Sequence, residues 1–239
     1  MAYELYYWPT LQGRGEFVRL ALEEAGVPYH DVARLPEPKG GAPAMLALMG
    51  GDTVPHPPFA PPFLKAGRLL IGQTANILLF LGDHHGLAPN TEGGRLWVHQ
   101  VQLTIADLVT EAHDTHHPIG ASLYYEEQKA EAARRAADFR KTRMKKFYGW
   151  FETVLERSGG NFVGGRRATY ADLSLFQVVE GLRWAFPKTA RKVEKTTPRL
   201  VALHDAVAAR PRIAAYLASE RRLAFNETGI FRRYEELDG

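Results

Sequence analysis

Apolar and polar residues alternate with two different periods along the first part of the chain. The run YELYYW is short and rich in aromatic residues, which is typical of a β-strand. In the next segment, RGEFVRLALEEAGVPY, apolar side chains recur with the spacing of one helix face, at Phe17, Leu20, Ala21 and Ala25. Arg19 falls on the polar side of this predicted helix. The segment YHDVARL that follows predicts a second strand.

Residues 36–62 interrupt this regular pattern. They are dense in proline and glycine, which predicts a long irregular loop with room for one short helix. Two short apolar runs around a glycine follow in PFLKAGRLLI and predict a hairpin. The segment TANILLFLGDHHG then predicts a helix, with Thr74 as its N-cap and Gly86 at its end. The predicted order of elements in residues 1–85 is therefore β-α-β-β-β-α.

Strand patterns fade after this point, and helical repeats fill the remainder of the chain. Five helices are predicted, near residues 93–117, 127–157, 169–185, 198–209 and 211–221. Thr169 and Asp172 have the spacing of a capping box at the start of the third of these helices. The sequence thus predicts an α+β protein of two domains, a small α/β domain over residues 1–85 and an all-helical domain over residues 92–239.

Composition and charge exclude few classes of function. The chain has 239 residues, and no apolar run approaches the roughly 20 residues that span a bilayer. Its first residues, MAYELYYW, lack the basic start and the apolar stretch of a signal peptide, so we expect a cytoplasmic protein without a membrane partner. The 30 basic residues face 27 acidic ones. The most basic run, RKTRMKKF, has the pattern of a solvated helix face, so a nucleic-acid partner is not expected.

The absence of cysteine restricts the chemistry more strongly. Because none of the 239 residues is a cysteine, the chain has no disulfide, no zinc–thiolate site and no thiol nucleophile of its own. Any sulfur chemistry must therefore use sulfur that arrives on a small molecule.

Three segments resemble the cytosolic glutathione transferase family, in its tyrosine-type sigma, pi, mu and alpha classes. YYWPTLQGRGEFVRL is similar to the first strand end and the turn into the first helix of that family. PPFLKAGRLLIGQTANILLFLG is similar to its cis-proline, hairpin and Gln-Ser-x-x-Ile stretch, and TYADLSLF is similar to a capped helix of its second domain. The resemblance implies a thioredoxin-like first domain, an all-helical second domain, glutathione as co-substrate and a homodimer.

The resemblance selects Tyr7 as the catalytic residue. A thiol with an unperturbed pKa near 8.5 is only about 3% ionised at pH 7, and a hydroxyl that donates to the sulfur anion raises the reactive fraction. Tyr6 is an alternative, because neighbouring residues of a strand point to opposite faces and at most one of the two faces the site. Thr10 is a further alternative, since serine-type classes use a hydroxyl near this turn.

The same resemblance implies residues that bind glutathione. Arg14 would help to hold the thiol as an anion, although the turn WPTLQGR is one residue longer than is usual in the family. Gln73 and Thr74 would bind the γ-glutamyl end at a helix start, where free N–H groups and the helix dipole favour a carboxylate.

The proline pair opposite this turn departs from the family pattern. Pro62 matches the family's cis-proline, whose predecessor pairs its backbone with the cysteinyl part of glutathione. That predecessor is Pro61, which has no N–H, so one of the two expected backbone bonds cannot form while the carbonyl stays available. Lys39, in the irregular loop, is a candidate for the glycyl carboxylate.

The long helix near residues 93–117 carries further candidates. An acidic residue on this helix reaches the partner subunit's glutathione in the family, and Glu111 fits this role better than Asp107 does. His113, His116 and His117 share one side of the helix, but no carboxylate or cysteine completes a zinc motif there, so no metal is expected. The resemblance implies an electrophile pocket that includes Trp8, Thr10, His113 and His117.

The resulting functional hypothesis is a homodimeric, tyrosine-type glutathione transferase that conjugates glutathione to small hydrophobic electrophiles. One alternative is a non-catalytic member of the family that only binds glutathione or keeps the fold. The other is a glutathione-dependent isomerase or peroxidase that uses the same thiolate. The sequence does not identify the electrophile.

Overall fold

The computed structural model describes residues 2–51 and 54–239 and begins with a four-stranded sheet. The strands are β1 (Tyr3–Tyr6), β2 (Tyr29–Asp31), β3 (Phe63–Ala66) and β4 (Leu69–Gly72), in the spatial order β2-β1-β3-β4. β1 runs parallel to β2 and antiparallel to β3. β3 and β4 are antiparallel neighbours, which confirms the predicted hairpin.

Helices cover both faces of the sheet. They are α1 (Gly15–Ala25), α2 (Gly41–Met49) and α3 (Thr74–His85). Because side chains alternate along a strand, Leu5 and Leu64 join the main core with α1 and α3, whereas Tyr6 and Phe63 pack with Met45 of α2. α2 is the short helix for which the proline-rich loop had room. These elements appear in the predicted order β-α-β-β-β-α, with α2 inside the loop.

The rest of the described chain is helical. Its helices are α4 (Glu92–Asp114), α5 (Lys129–Asp138), α6 (Met144–Arg157), α7 (Tyr170–Ala185), α8 (Pro187–Glu194), α9 (Pro198–Ala208), α10 (Pro211–Leu217) and α11 (Glu235–Asp238). A π-helical turn over Phe139–Arg143 joins α5 to α6. α7 is buried along most of its length and packs against α4, α9 and α1, so it is the centre of the core. No helix in residues 2–51 or 54–239 has both the length and the apolar character required to cross a membrane.

The predicted capping box at the start of α7 is confirmed. Asp172 Oδ2 accepts hydrogen bonds from the backbone N–H and the hydroxyl of Thr169, each at 2.7 Å. Asp172 Oδ1 accepts a third bond, from the Val163 N–H at 2.8 Å. Burial raises the pKa of the Asp172 carboxyl to about 6, while these hydrogen bonds oppose the rise. The box therefore fixes the point at which the chain enters the core as α7.

Several predicted element ends are wrong. β2 stops at Asp31, because residues Val32–Arg34 form a short 3-10 helix instead of a longer strand. Gln73 rather than Thr74 is the N-cap of α3, and its side chain makes no capping hydrogen bond. α10 ends at Leu217 instead of near residue 221. α8 and α11 are short helices that the apolar repeat did not predict.

Arg19 is the largest departure from the sequence pattern, because it is fully buried instead of exposed on α1. Its Nε donates to Asp31 Oδ2 at 2.7 Å, and its Nη1 donates to Glu16 Oε2 at 3.1 Å. Glu16 is also fully buried, accepts a hydrogen bond from the Tyr216 hydroxyl at 2.7 Å and pairs with Arg222. The polar side of α1 therefore faces α10 and the segment after it, so that charges pair between the two parts of the chain.

Replacing Arg19 with methionine is expected to destabilise the fold by about 3–5 kcal/mol, because Glu16 and part of Asp31 would remain buried without their cation. Urea unfolding of the purified protein measures this loss. Arg34→Met is the matched control, since Arg34 lies 3.8 Å from the same Asp31 in a more exposed pair and should cost about 1 kcal/mol or less. Equal losses of unfolding free energy in the two variants would show that the buried pairs of Arg19 stabilise the fold no more than the exposed pair of Arg34 does.

Candidate active site

A cleft of about 680 Å³ lies between the α/β part and α4. Its α/β wall contains five residues predicted to bind glutathione: Arg14, Pro61, Pro62, Gln73 and Thr74. The opposite wall is formed by α4, with His99, Gln102 and Ala106. Residues that are distant in the sequence, from β1–α1, the proline turn and α3, thus meet in one place.

The start of α3 forms a polar end of this cleft. Gln73 has φ 67°, and it is the one non-glycine residue with positive φ in the described part of the chain. Such a backbone costs about 1–3 kcal/mol, so the surrounding structure must hold it in place. The Thr74 hydroxyl is buried at this point and makes no hydrogen bond to any described residue. The first N–H groups of a helix also lack partners within the helix, so the site is suited to an anionic group.

The proline turn forms the neighbouring edge of the cleft. The Pro61–Pro62 peptide bond is cis, as the sequence predicted for Pro62. Both prolines line the cleft. Because proline has no N–H, Pro61 can offer a ligand only its carbonyl oxygen.

Tyr7 is buried against the amino end of α1 and is not among the residues that line the cleft. Its hydroxyl accepts a hydrogen bond from the Arg14 backbone N–H at 2.9 Å. Gly13 and Gly15 pack so closely against the tyrosine that a Cβ on either would collide with its side chain. Burial raises the pKa of Tyr7, opposed by Arg14, Arg19 and nearby backbone N–H groups, so the phenol stays protonated at neutral pH. Its own O–H donates to no described residue.

The turn between Tyr7 and α1 is tied to the helical part through Gln12. The Gln12 amide accepts a hydrogen bond from Gln177 Nε2 of α7 at 2.7 Å and donates to the Leu223 carbonyl. The Arg19 guanidinium donates to the Gln12 carbonyl at 3.3 Å. These bonds hold the turn in a defined position.

Three histidines form a cluster at the carboxyl end of α4. The ring centroid of His113 lies 5.1 Å from the ring centroid of His116 and 5.1 Å from that of His117. His116 Nε2 donates to the Ile230 carbonyl at 2.7 Å, so neutral His116 accepts at Nδ1 from His117 Nδ1–H. Burial and the positive charge of Arg232 lower the pKa of His116 to about 3 and of His117 to about 4, which keeps both rings neutral at pH 7.

Like His113 and His117, the remaining predicted residues lie outside the lining of the cleft. Trp8 is partly exposed, and the Thr10 carbonyl accepts a hydrogen bond from Asn226 at 2.8 Å. Lys39 is exposed in the loop before α2. Glu111 binds two arginines within its own chain, Arg135 at 3.1 Å and Arg143 at 2.6 Å. Its carboxylate is thus already neutralised inside the helical part.

Sequence reasoning missed the wall that α4 contributes. Gln102 Oε1 and His99 Nδ1 are buried and make no hydrogen bond to described residues. His99, Gln102, Ala106 and Val109 recur every three or four residues, which is the spacing of a single helix face. That face could have been assigned to the cleft from the sequence, because the predicted helix starts directly after the α/β part. A group of three or more histidine, aspartate or glutamate side chains able to hold a metal ion is not found among the described residues.

Comparisons with known proteins agree with this architecture. A family model for the glutathione S-transferase C-terminal domain matches residues 113–220. Glutathione S-transferase P 1 of Xenopus laevis is 25% identical over 223 residues, which cover 92% of this chain and 93% of that protein.

The chain is thus similar to glutathione S-transferases over almost its full length, and its helical part matches the model of their C-terminal domain.

Solved structures of family members share the fold over almost the full length. The structure of rat hPGDS complexed with a quinoline has a TM-score of 0.71 at 21% identity, and covers 94% of this chain and 99% of its own. A pi-class glutathione S-transferase of Onchocerca volvulus has a TM-score of 0.69 at 19% identity, and the match covers 91% of this chain and 92% of that one. At these identities the likeness establishes the glutathione S-transferase fold, a thioredoxin-like domain followed by a helical one.

Proposed function

We propose that this chain is a glutathione transferase in which Tyr7 stabilises the glutathione thiolate for attack on a small hydrophobic electrophile. The observation that carries the proposal is the Tyr7 hydroxyl, which accepts a bond from the Arg14 N–H and keeps its own proton free of described partners. A phenol in this state is a hydrogen-bond donor available to a sulfur anion. The glutathione S-transferase fold supports the choice of thiol.

The energy required for this activation is modest. Lowering a thiol pKa by two units takes about 2.7 kcal/mol of differential stabilisation. A single hydrogen bond to a charged group supplies about 1.5–3 kcal/mol, so the Tyr7 O–H is of the required strength. The Arg14 side chain lines the cleft and adds a positive charge beside the thiolate.

The γ-glutamyl carboxylate of glutathione is assigned to the start of α3. The Thr74 hydroxyl, Gln73 and the free N–H groups of the first turn form the donors there. Pro61 accepts one bond through its carbonyl, and Lys39 is kept for the glycyl carboxylate. We leave Glu111 out of the glutathione ligands, because Arg135 and Arg143 already occupy its carboxylate.

A homodimer is part of the proposal, and the surface beside the cleft supports it. Phe59 is 94% exposed at the proline-turn edge, and Leu103 of α4 is 48% exposed across the cleft. Large apolar side chains left exposed at both edges of the cleft are candidates for burial against a second copy of the chain. The cytoplasmic location predicted from the sequence stays a prediction.

The Tyr7→Phe variant tests the activation step. We expect the pKa of bound glutathione to return toward its free value near 8.5, and conjugation to an aryl halide near pH 6.5 to fall by about 10–100-fold. Ultraviolet absorbance of the thiolate measures the pKa directly. Tyr6→Phe is the control, because Tyr6 donates to Glu4 and packs against Phe63 on the other face of the sheet. A wild-type protein that binds glutathione without lowering its thiol pKa would favour the non-catalytic alternative instead.

Removing the Thr74 hydroxyl tests the carboxylate pocket. Thr74→Val should raise the KM for glutathione by about tenfold with little change in kcat, because it deletes a donor used equally in the ground and transition states. Thr110→Val provides the comparison, since its hydroxyl also belongs to the cleft wall but is satisfied by the Ala106 carbonyl at 3.1 Å. If both variants change KM to the same extent, the assignment of Thr74 fails.

The proposed dimer is tested by sedimentation velocity at micromolar concentration. The wild-type protein should sediment as a dimer, and Phe59→Ala should shift it toward the monomer, because truncating a large buried aromatic costs about 3–5 kcal/mol. Ile119→Ala removes a comparably exposed apolar side chain away from the cleft and should leave the dimer intact. A wild-type monomer under these conditions would refute this part of the proposal.

A further inference from the structure

A second cavity, of about 330 Å³, lies where the ends of α1 and α3 meet the helical part of the chain. Among the described residues it shares no lining side chain with the cleft. The carboxyl ends of α1 and α3 form one side, and the loop before α7 and the α9–α10 junction form the other. The Tyr170 N–H donates to the Leu87 carbonyl at 2.9 Å, so the loop before α7 is fixed to the segment that follows α3 beside this cavity.

The lining of this cavity is strongly basic. It contains four arginines, two from the loop before α7 and two from the α9–α10 junction: Arg166, Arg167, Arg210 and Arg212. Glu24 is the one acidic residue in the described lining, and its Oε1 accepts a hydrogen bond from Arg210 Nε at 2.9 Å. Three of the four guanidinium groups therefore have no carboxylate partner among the described residues.

The four arginines are held in two different ways. Arg210 is fixed by the buried Glu24 side chain, and Arg212 Nη1 donates to the Glu24 carbonyl at 2.9 Å. Arg212 also packs against the turn that ends α1, where a Cβ on Gly26 would lie only 2.6 Å from its Cζ. Arg166 and Arg167 are exposed and make no hydrogen bond or ion pair with a described residue. The cavity thus has two positioned cations on one wall and two with all their donors free on another.

The composition of the lining restricts the ligand to an anion recognised by its charge. A guanidinium group presents a planar fork of N–H donors that matches a phosphate group in a bidentate manner. None of the described lining residues is a phenylalanine, tyrosine or tryptophan on which a base could stack. The volume lies at the lower end of the range for small-molecule sites, which leaves room for more than a single phosphate group.

We propose that this cavity is a second ligand site, which binds a compact anion carrying two or more phosphate groups. Like charges around one cavity repel each other, and a polyphosphate that enters it replaces that repulsion with charge-assisted hydrogen bonds. Because its walls belong to both parts of the chain, the bound anion joins the α/β part to the helical part. The site is independent of the transferase proposal, since glutathione is assigned to the cleft.

Calorimetry at low ionic strength tests the ligand class with orthophosphate, pyrophosphate and tripolyphosphate. The affinity should rise with the number of phosphate groups and fall as salt is added. ADP and adenosine distinguish a nucleotide from a free polyphosphate. ADP should bind about as tightly as pyrophosphate, and adenosine should not bind. Absence of tripolyphosphate binding, or an affinity for ADP more than tenfold above that for pyrophosphate, would contradict recognition through the phosphates.

The double variant Arg166→Gln/Arg167→Gln tests the location. It should weaken tripolyphosphate binding by about tenfold or more, while Arg166→Lys/Arg167→Lys should keep part of the affinity. Lys145→Gln/Lys146→Gln is the matched control, because it removes the same charge from two exposed neighbours on α6 in the most basic run of the chain. Equal weakening by the two glutamine pairs would assign binding to the overall charge of the protein and overturn the site. Thermal unfolding without ligand verifies that all variants are folded.

Arg14→Gln separates the second cavity from the cleft. Arg14 lines the cleft and not the arginine-rich cavity, so this variant should bind tripolyphosphate within about twofold of the wild type. A loss of binding in Arg14→Gln that equals the loss in Arg166→Gln/Arg167→Gln would place the anion outside the proposed cavity. Because these measurements use no glutathione and no electrophile, their outcome leaves the transferase proposal unchanged.

Discussion

The buried pairing of Arg19 with Glu16 and Asp31 is the interaction on which the candidate active site depends. Its guanidinium reaches Asp31 at the end of β2 and also donates to the Leu11 and Gln12 carbonyls of the turn before α1. The Arg19 guanidinium is fully buried, and the backbone of this turn supplies two acceptors for its Nη1, whereas its Nη2 has no hydrogen-bond partner among the described residues. The turn that carries Arg14 and faces Tyr7 therefore has its shape set by a charge on the next helix.

The same network joins the α/β part to the helical part. Glu16 receives the Tyr216 hydroxyl and pairs with Arg222, whose Nη2 donates to the Gln177 side chain at 3.0 Å. Gln177 in turn donates to Gln12. This series of contacts begins and ends at the turn before α1. A small rotation of the α/β part relative to the helical part would therefore break several buried polar bonds at once.

Local sequence patterns were sufficient to predict most of the fold and one wall of the cleft. Apolar periodicity located α1, the hairpin and α7, because those elements bury one face against a core. The sequence placed Gln73 and Thr74 at a helix start, although Gln73 rather than Thr74 is the N-cap. Arg19 could not be predicted, because only long-range packing tells whether a polar face of a helix meets water or another set of charges. The ion pairs of Glu111 with Arg135 and Arg143 were missed for the same reason.

The Glu16–Tyr216 contact, between residues 200 positions apart, has a consequence for how the site forms during folding. Closing so long a loop is entropically expensive, and contacts of this separation form slowly. A chain emerging from the ribosome exposes β1, the tyrosine turn and α1 long before α10 and Arg222 exist to receive them. The turn before α1 therefore cannot complete its buried contacts until residues 216–222 are available, and an unfinished chain that already contains Tyr7, Gln73 and Thr74 lacks the partners that Glu16 has in the folded chain.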